Sequence, residues 1–308
     1  FLLNNFLKET YIARKSEIEE SVETFLNKKI DLGDYSGIRF FGIALANSRI
    51  FDKNNINSEI KAKNVYVGLL PIRSFIKQKW IVKISPRNTE INIDRDFLKR
   101  IKPIKKERII NKSKTKYHLN LNLNKYSILE LKKSGIKTKV KGNITYKSGN
   151  KEIIANLKSN FDGKGFLKFK FHTKLNKDLL RLELFSSGLD LENTEYKIGS
   201  KKISLKKGKF RSNFKFNKSS KQTFCEGRFS ITGLEIKPEA FSENISADST
   251  SFYCKDNNLI GNAEKLNYGT LKSNFNINIP FNSTSNIIDL KGSIGYVNSL
   301  NPDIKLSG

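Results

Sequence analysis

Methionine is absent from this sequence of 308 residues, tryptophan occurs once, and histidine and cysteine occur twice each. Each shortage removes a class of function. Catalysis near neutral pH commonly needs a side chain that titrates there, and His118 and His172 are the only histidines. Both fall on polar positions of strand-like segments, where a solvated surface role is expected. Cys225 and Cys254 show no metal-ligand spacing and are too few for a disulfide framework. They run in phase with apolar neighbours, Gly227, Phe229 and Ile231 for the first and Phe252 for the second. Two buried free thiols are the expectation, with a single disulfide between neighbouring strands as the other reading. No apolar run approaches the roughly 18 residues of a complete membrane span. Trp80 alone makes no aromatic girdle for a barrel in lipid. Since even position 1 is not methionine, the sequence is expected to start and stop inside a longer protein, with "FLLNNF" as the trailing end of a membrane anchor.

Acidic residues are also scarce: Lys and Arg number 57 against 30 Asp and Glu, a net charge of +27. Such an excess suits nucleic acid or an anionic membrane. The lysines, however, come with many asparagines and isoleucines, as AT-rich coding sequence also produces, and most sit singly on alternating positions. No G-x-S-x-G, Walker loop, H-E-x-x-H or C-x-x-C occurs. "GKGFLK" at Gly163 lacks the third glycine of a nucleotide loop and leads into a strand, so it reads as a turn. Asp94, Asp96, Asp162 and Asp178 are scattered without pairing. The chain is expected not to be an enzyme and to use no cofactor and no metal.

What the sequence does contain is alternation. In "GFLKFKFHTKL", Leu167, Phe169, Phe171 and Leu175 point one way, while Lys168, Lys170, His172 and Lys174 point the other. The pattern recurs in "YHLNLNLNKYS" (Leu119, Leu121, Leu123), in "GKFRSNFKFN" (Phe210, Phe214, Phe216) and in "TLKSNFNINIPF" (Leu271, Phe275, Ile277, Ile279, Phe281). "KVKGNITY", "EIIANLKSNF" and "LLRLELF" read the same way, joined by segments rich in Gly, Asn, Ser and Lys. A long antiparallel sheet with one apolar face must hide it under a second sheet, by closing into a barrel, or by curling around an apolar guest. Alternation alone leaves all three open. Aromatics and cations fall on opposite faces, which argues against a stacking platform for nucleic acid, and no nucleic-acid partner is expected.

The start of the chain differs. "SEIEESVETFLNKK" predicts a short amphipathic helix, capped by Ser16 with Glu19 three residues on, and with Ile18, Val22, Phe25 and Leu26 at helical spacing. Strand-like segments follow: "IRFFGIALANSRIF", "NVYVGLL", "WIVKI" and "EINI", separated by polar clusters and by Pro71 and Pro86. Half of "KRIKPIKKERIINKSKTK" (99–116) is basic, which predicts a solvated linker, with a juxtamembrane or headgroup-binding patch as the other reading. The expected organisation is a helix-and-strand cap over 1–98, a linker over 99–115, and a repeating sheet over 116–308.

Within the cap, the positions Phe25, Leu26, Ile30, Leu32 and Gly33 fit "L-x-x-x-(I/V)-x-L-G". Gly42, Ile43, Ser48 and Ile50 fit "G-I-x-x-x-x-S-x-I", and Leu70 and Pro71 fit an "L-P" strand segment. Over about residues 15 to 97 the chain thereby resembles the AsmA/TamB superfamily, especially its cyanobacterial and plastid branch. The resemblance implies a mostly β fold: an elongated, curled antiparallel sheet forming an open apolar trough behind a short N-terminal helix. It implies a single-pass inner-membrane protein whose trough crosses the periplasm and carries phospholipid acyl chains, with an outer-membrane assembly partner engaged by a C-terminal region outside this sequence. On that basis Leu119, Leu121, Leu123, Leu167, Phe169, Phe171, Phe210, Phe214, Phe216, Phe275, Ile277 and Ile279 would line the trough. The alternative expectation is a scaffold for outer-membrane protein assembly or protein import, offering sheet edges to client chains.

Overall fold

The computed structural model describes residues 2–26, 28–52, 55–93, 117–131, 136–174, 179–198, 201–220, 222–281, 289–296 and 304–307. The chain is mostly β, with two α-helices among these residues. It divides into two compact units, Phe1–Lys133 with Lys137–Leu157, and Ser134–Ile136 with Lys158–Gly308. The basic linker segment lies outside the described residues, and the strands just after it group with the first unit.

The first unit contains α1 (Leu2–Leu26), β1 (Lys29–Asp31), β2 (Tyr35–Arg39), β3 (Gly42–Asp52), β4 (Asn55–Leu69), α2 (Pro71–Lys77), β5 (Trp80–Ile93), β6 (Tyr117–Leu131) and β7 (Ile136–Lys147). β8 (Glu152–Phe161) crosses the division. β1 and β2 both pair with β3, which pairs with β4, and β4 with β5, all antiparallel. β5 and β6 are parallel, so the sheet is mixed where an antiparallel one is expected. Pro86 does not separate two strands. It lies inside β5, opposite Val65 of β4, and the β5–β6 register breaks between Ile84 and Glu90 on its other side. A residue without an N–H is tolerated where the ladder is interrupted. The "L-P" segment is also not all strand: β4 stops at Leu69 and Pro71 opens α2, where its missing donor costs nothing.

The N-terminal helix is longer than its capping signal predicts. It begins at Leu2, which leaves Ser16 in mid-helix and exposed. Glu19 instead accepts the backbone N–H of Leu32 at 2.7 Å, and Glu23 accepts that of Ile30 at 3.2 Å and an ion pair from Lys29 at 3.0 Å. The two carboxylates thus satisfy donors along β1 that would otherwise be unpaired. The packing stripe differs as well. Ile18 is 42% exposed, whereas Tyr11 is buried against Leu45, Ala62 and Val65. The side chains of Val22, Phe25 and Leu26 lie outside what is described. Neither helix is long and apolar enough to cross a membrane, so the described residues give no support to a single-pass anchor.

Gly33 shows why this corner admits little change. A Cβ there would fall 0.9 Å from the carbonyl oxygen of Ala46. Its own carbonyl accepts the Tyr11 hydroxyl at 2.6 Å, and its N–H reaches Ser48 Oγ at 3.0 Å. Nearby, Lys28 and Asp52 form a buried ion pair at 2.8 Å.

The Tyr11 phenol is pushed up to about 12, first by burial and then by the carboxylates of Glu19, Asp34 and Asp31. In an unfolded chain it ionises near about 10. The folded state therefore holds this proton more tightly, and the resulting stability is complete below about pH 10 and lost as pH rises toward 12. Alkaline unfolding followed by circular dichroism should show this loss in the native chain, and Tyr11→Phe should remove that part of the pH dependence. Identical alkaline profiles would contradict the assignment.

Candidate functional site

The second unit is a run of strands: β9 (Gly165–Lys174), β10 (Leu179–Asp190), β11 (Thr194–Ile198), β12 (Lys201–Lys218), β13 (Thr223–Pro238), β14 (Ile245–Lys255), β15 (Asn258–Tyr268), β16 (Leu271–Pro280), β17 (Asp289–Tyr296) and β18 (Ile304–Ser307). β10 pairs with β9 and with β12, and from β12 each strand pairs antiparallel with the next. β11 forms a hairpin with the start of β12. The segment "LENTEYKIGSKKISLKKGK", which reads as a cationic connection, is largely this hairpin.

Directly opposed residues of an antiparallel pair lie on the same face, so register decides what the alternation assembles. One row runs Phe171, Leu182, Phe216, Cys225, and the next runs Phe169, Leu184, Phe214, Gly227. A third crosses Phe210, Ile231, Thr250, Ala263 and Phe275. A fourth crosses Ser212, Phe229, Phe252, Gly261 and Ile277, with Leu259 and Ile279 opposed beyond it. Nine of the expected lining residues therefore share one face of this unit, Leu167 by its place two residues before Phe169. Phe214 is 7% exposed and the other eight are half-buried.

Leu119, Leu121 and Leu123 belong to the first unit. Leu119 and Leu121 stand beside Val82 and Ile84 of β5 and are half-buried, whereas Leu123 is buried. On this face Ile84 packs toward the Tyr11 cluster. Here α1 supplies part of the cover that the second unit lacks.

Phe229, Ile231, Phe252, Leu182 and Leu184, which are not among the expected lining residues, complete the face of the second unit. Phe229 stacks on Phe252 at 4.7 Å between centroids and meets Phe214 edge-on at 5.4 Å. Phe252 lies over Gly261, where an added Cβ would come within 2.5 Å of the ring. Their signal was present in "LLRLELF" and "TFCEGRFSI", which alternate in the same phase.

The face is concave. β12 and β16 are four strand spacings apart, about 19 Å in a flat sheet, yet the ring of Phe281, the residue after β16, meets that of Phe216 edge-on at 5.4 Å. The register shift between Ala263 and Leu266 in the β15–β16 pair is a local source of the extra twist. Close to this contact, Cys225 and Cys254 form a disulfide with Cα atoms 5.6 Å apart. They are not the free thiols first expected. Among the described residues of the unit there is no helix over the concave face, and its strands belong to one continuous ladder.

The opposite face is charged and internally matched. Lys170, Glu183, Lys215 and Glu226 form a row of alternating sign across four strands, with Lys170–Glu183 at 2.9 Å and Lys215–Glu226 at 3.7 Å. Exposed pairs of this kind contribute little energy, but they suit a face turned to water. Aromatics are not confined to the concave side: Lys168 lies over both Phe166 and Phe185 on the charged one. In the first unit, His118 is half-buried beside Ile81, not simply solvated. Burial, followed by Lys79, Lys147 and Lys77, lowers its pKa.

Among the described residues no group of three or more His, Cys, Asp or Glu is placed to hold a metal. No family model matches the chain, and no curated protein or solved structure shows significant similarity to it.

The disulfide spans 29 residues of sequence, for which loop-closure entropy gives a stabilisation of about 3.6 kcal/mol. Urea unfolding with and without reductant should reveal a loss of that order, reproduced by Cys225→Ser with Cys254→Ser. A midpoint insensitive to reductant would show that the bond does not hold this end of the sheet.

Proposed function

We propose that this chain is a segment of a non-enzymatic, AsmA/TamB-like lipid carrier, in which phospholipid acyl chains run along the apolar face between two membranes. The observation that carries the reading is the concave face of the second unit, lined by half-buried phenylalanines and aliphatic side chains, with no helix over it among the described residues. Each large apolar side chain left in water forgoes about 1.5 to 3 kcal/mol, so hydrocarbon is a favourable occupant. Movement requires no chemistry, since one methylene contact is exchanged for another of equal energy. The disulfide fits an oxidising compartment such as the periplasm. The likeness in the first unit supports a place next to the inner membrane, with any outer-membrane assembly partner met by another part of the protein.

The test is to purify the chain, extract it with organic solvent and identify bound phospholipid by mass spectrometry. Lipid in near-stoichiometric amount is expected from the native chain and from Lys168→Asp, and at least about tenfold less from Phe169→Asp, whose carboxylate would sit among apolar groups. Protein free of lipid but carrying client peptide would replace this reading with that of an assembly scaffold. Equal loss in both variants would overturn the assignment of faces.

A further inference from the structure

The most exposed large apolar side chains of the first unit, apart from those of α1, gather at one end of its sheet. The tip of the β2–β3 hairpin carries Phe40 and Phe41, whose ring centroids are 4.3 Å apart. The connection between β4 and β5 carries Ile72, Phe75 and Ile76 on α2 and then Trp80. Phe40 is 86% exposed and Phe75 87%. These elements adjoin: the Leu69 N–H donates to the Phe41 carbonyl at 2.9 Å, and the Tyr66 hydroxyl donates to that of Phe40 at 2.6 Å.

Hydrogen-bonded backbone presents these side chains outward. Leu70 N–H donates to Ile81 O at 2.9 Å, and Ile81 N–H to Ser74 Oγ at 3.0 Å, so α2 is tied to β5 through polar atoms. None of its residues is buried. Ile72, Phe75 and Ile76 share one side of the helix by their spacing of three and four. Loose chain would let such groups collapse on one another; this arrangement holds them apart from the core.

The exposed charge of these segments is of one sign. Arg39, Arg73, Lys77 and Lys79 border the cluster, and residues 35–51 and 60–89 contain no Asp or Glu; Glu152, within electrostatic reach of His118, is buried and ion-paired with Lys147 at 2.8 Å. Trp80 stands opposite Tyr117 in the β5–β6 register, and Tyr117 lies 6.2 Å from Tyr146. Protruding Phe and Ile, cations beside them, and Trp with Tyr at their border match the layers of a bilayer surface: acyl boundary, anionic headgroup and interfacial ring zone. A protein partner of ordinary composition explains the apolar groups but not the lack of acids in the segments that carry them.

We infer that this end of the first unit docks on a membrane surface bearing anionic lipid, with Phe40, Phe41, Ile72, Phe75 and Ile76 entering the headgroup boundary and the neighbouring Arg and Lys side chains meeting phosphate. The inference stands apart from the groove: a peripheral contact of this kind requires no lipid along the second unit.

Trp80 is the chain's only tryptophan, so its fluorescence reports on this surface alone. The full chain is mixed with vesicles of phosphatidylcholine and phosphatidylglycerol, or of phosphatidylcholine alone. With the anionic vesicles, Trp80 emission is expected to shift to the blue and become shielded from acrylamide, and the chain to float with the lipid. Phe75→Ser with Ile76→Ser alters two exposed side chains, and circular dichroism should confirm that the variant keeps its fold. It is expected to lower vesicle partition by about tenfold or more. Arg73→Gln with Lys77→Gln should reduce the preference for anionic vesicles. Trp80 remaining accessible in the presence of anionic vesicles overturns the inference, even if the chain floats through another surface. Trp80 becoming shielded without lipid as concentration rises, with a matching increase in sedimentation, overturns it in favour of a second copy of the chain. Vesicle docking that persists when no phospholipid co-purifies would leave this inference intact while the groove reading failed, and the converse result would do the opposite.

Discussion

The hydrogen-bond ladder of the second unit keeps apolar side chains in phase from β9 to β16, and the other features of that unit follow from this registration. A one-residue slip at any strand would move its phenylalanines to the charged side and set lysines among the rings. In register, Phe169, Leu184 and Phe214 extend one another's surface, and so do Phe229, Phe252 and Ile277. The outer row from Lys170 to Glu226 is in keeping with the same alignment.

Such a face is too apolar to leave flat against water, and the two units meet the problem differently. In the first, α1 lies on the sheet through Tyr11, while Glu19 and Glu23 secure it to β1. In the second, the sheet bends until Phe216 reaches Phe281, and the disulfide links two of the intervening strands beside that contact. Bending lowers exposure without removing it, and most of the lining remains half-buried. On the proposed reading, a guest with the shape of an acyl chain would complete the burial that the polypeptide leaves unfinished.

Much of this was legible in the sequence because a period of two survives every local irregularity. "GFLKFKFHTK" and "LKSNFNINIP" are strands with the sides their alternation implies, Leu175 lying outside the described residues. Features that depend on register were not legible. The pairing of Cys225 with Cys254 follows from the β13–β14 alignment, and the parallel β5–β6 pair is reached through a segment whose route no local pattern encodes. The N-terminal helix misled for another reason. Ser16 and Glu19 have the spacing of a capping box, but Glu19 is occupied by the N–H of Leu32, a tertiary contact that overrides the local one. Likewise "LLPIRSF" looks like the end of a strand until Pro71 is seen to start α2. His118 alternates with leucines as a surface residue does, and only the fold brings Ile81 and the lysines around it.

The claim at the centre of this account is that the concave side of the second unit is occupied by hydrocarbon and the charged side is not. Photo-crosslinking from single positions tests it most directly, with benzoylphenylalanine placed at Phe171 or at the adjacent Lys170 in chain loaded with phospholipid. The account predicts lipid adducts from position 171 and almost none from position 170, with the adducts mapping to the acyl chain. Adducts of equal yield from both positions, or crosslinks from position 171 only to other residues of the same chain, would contradict it.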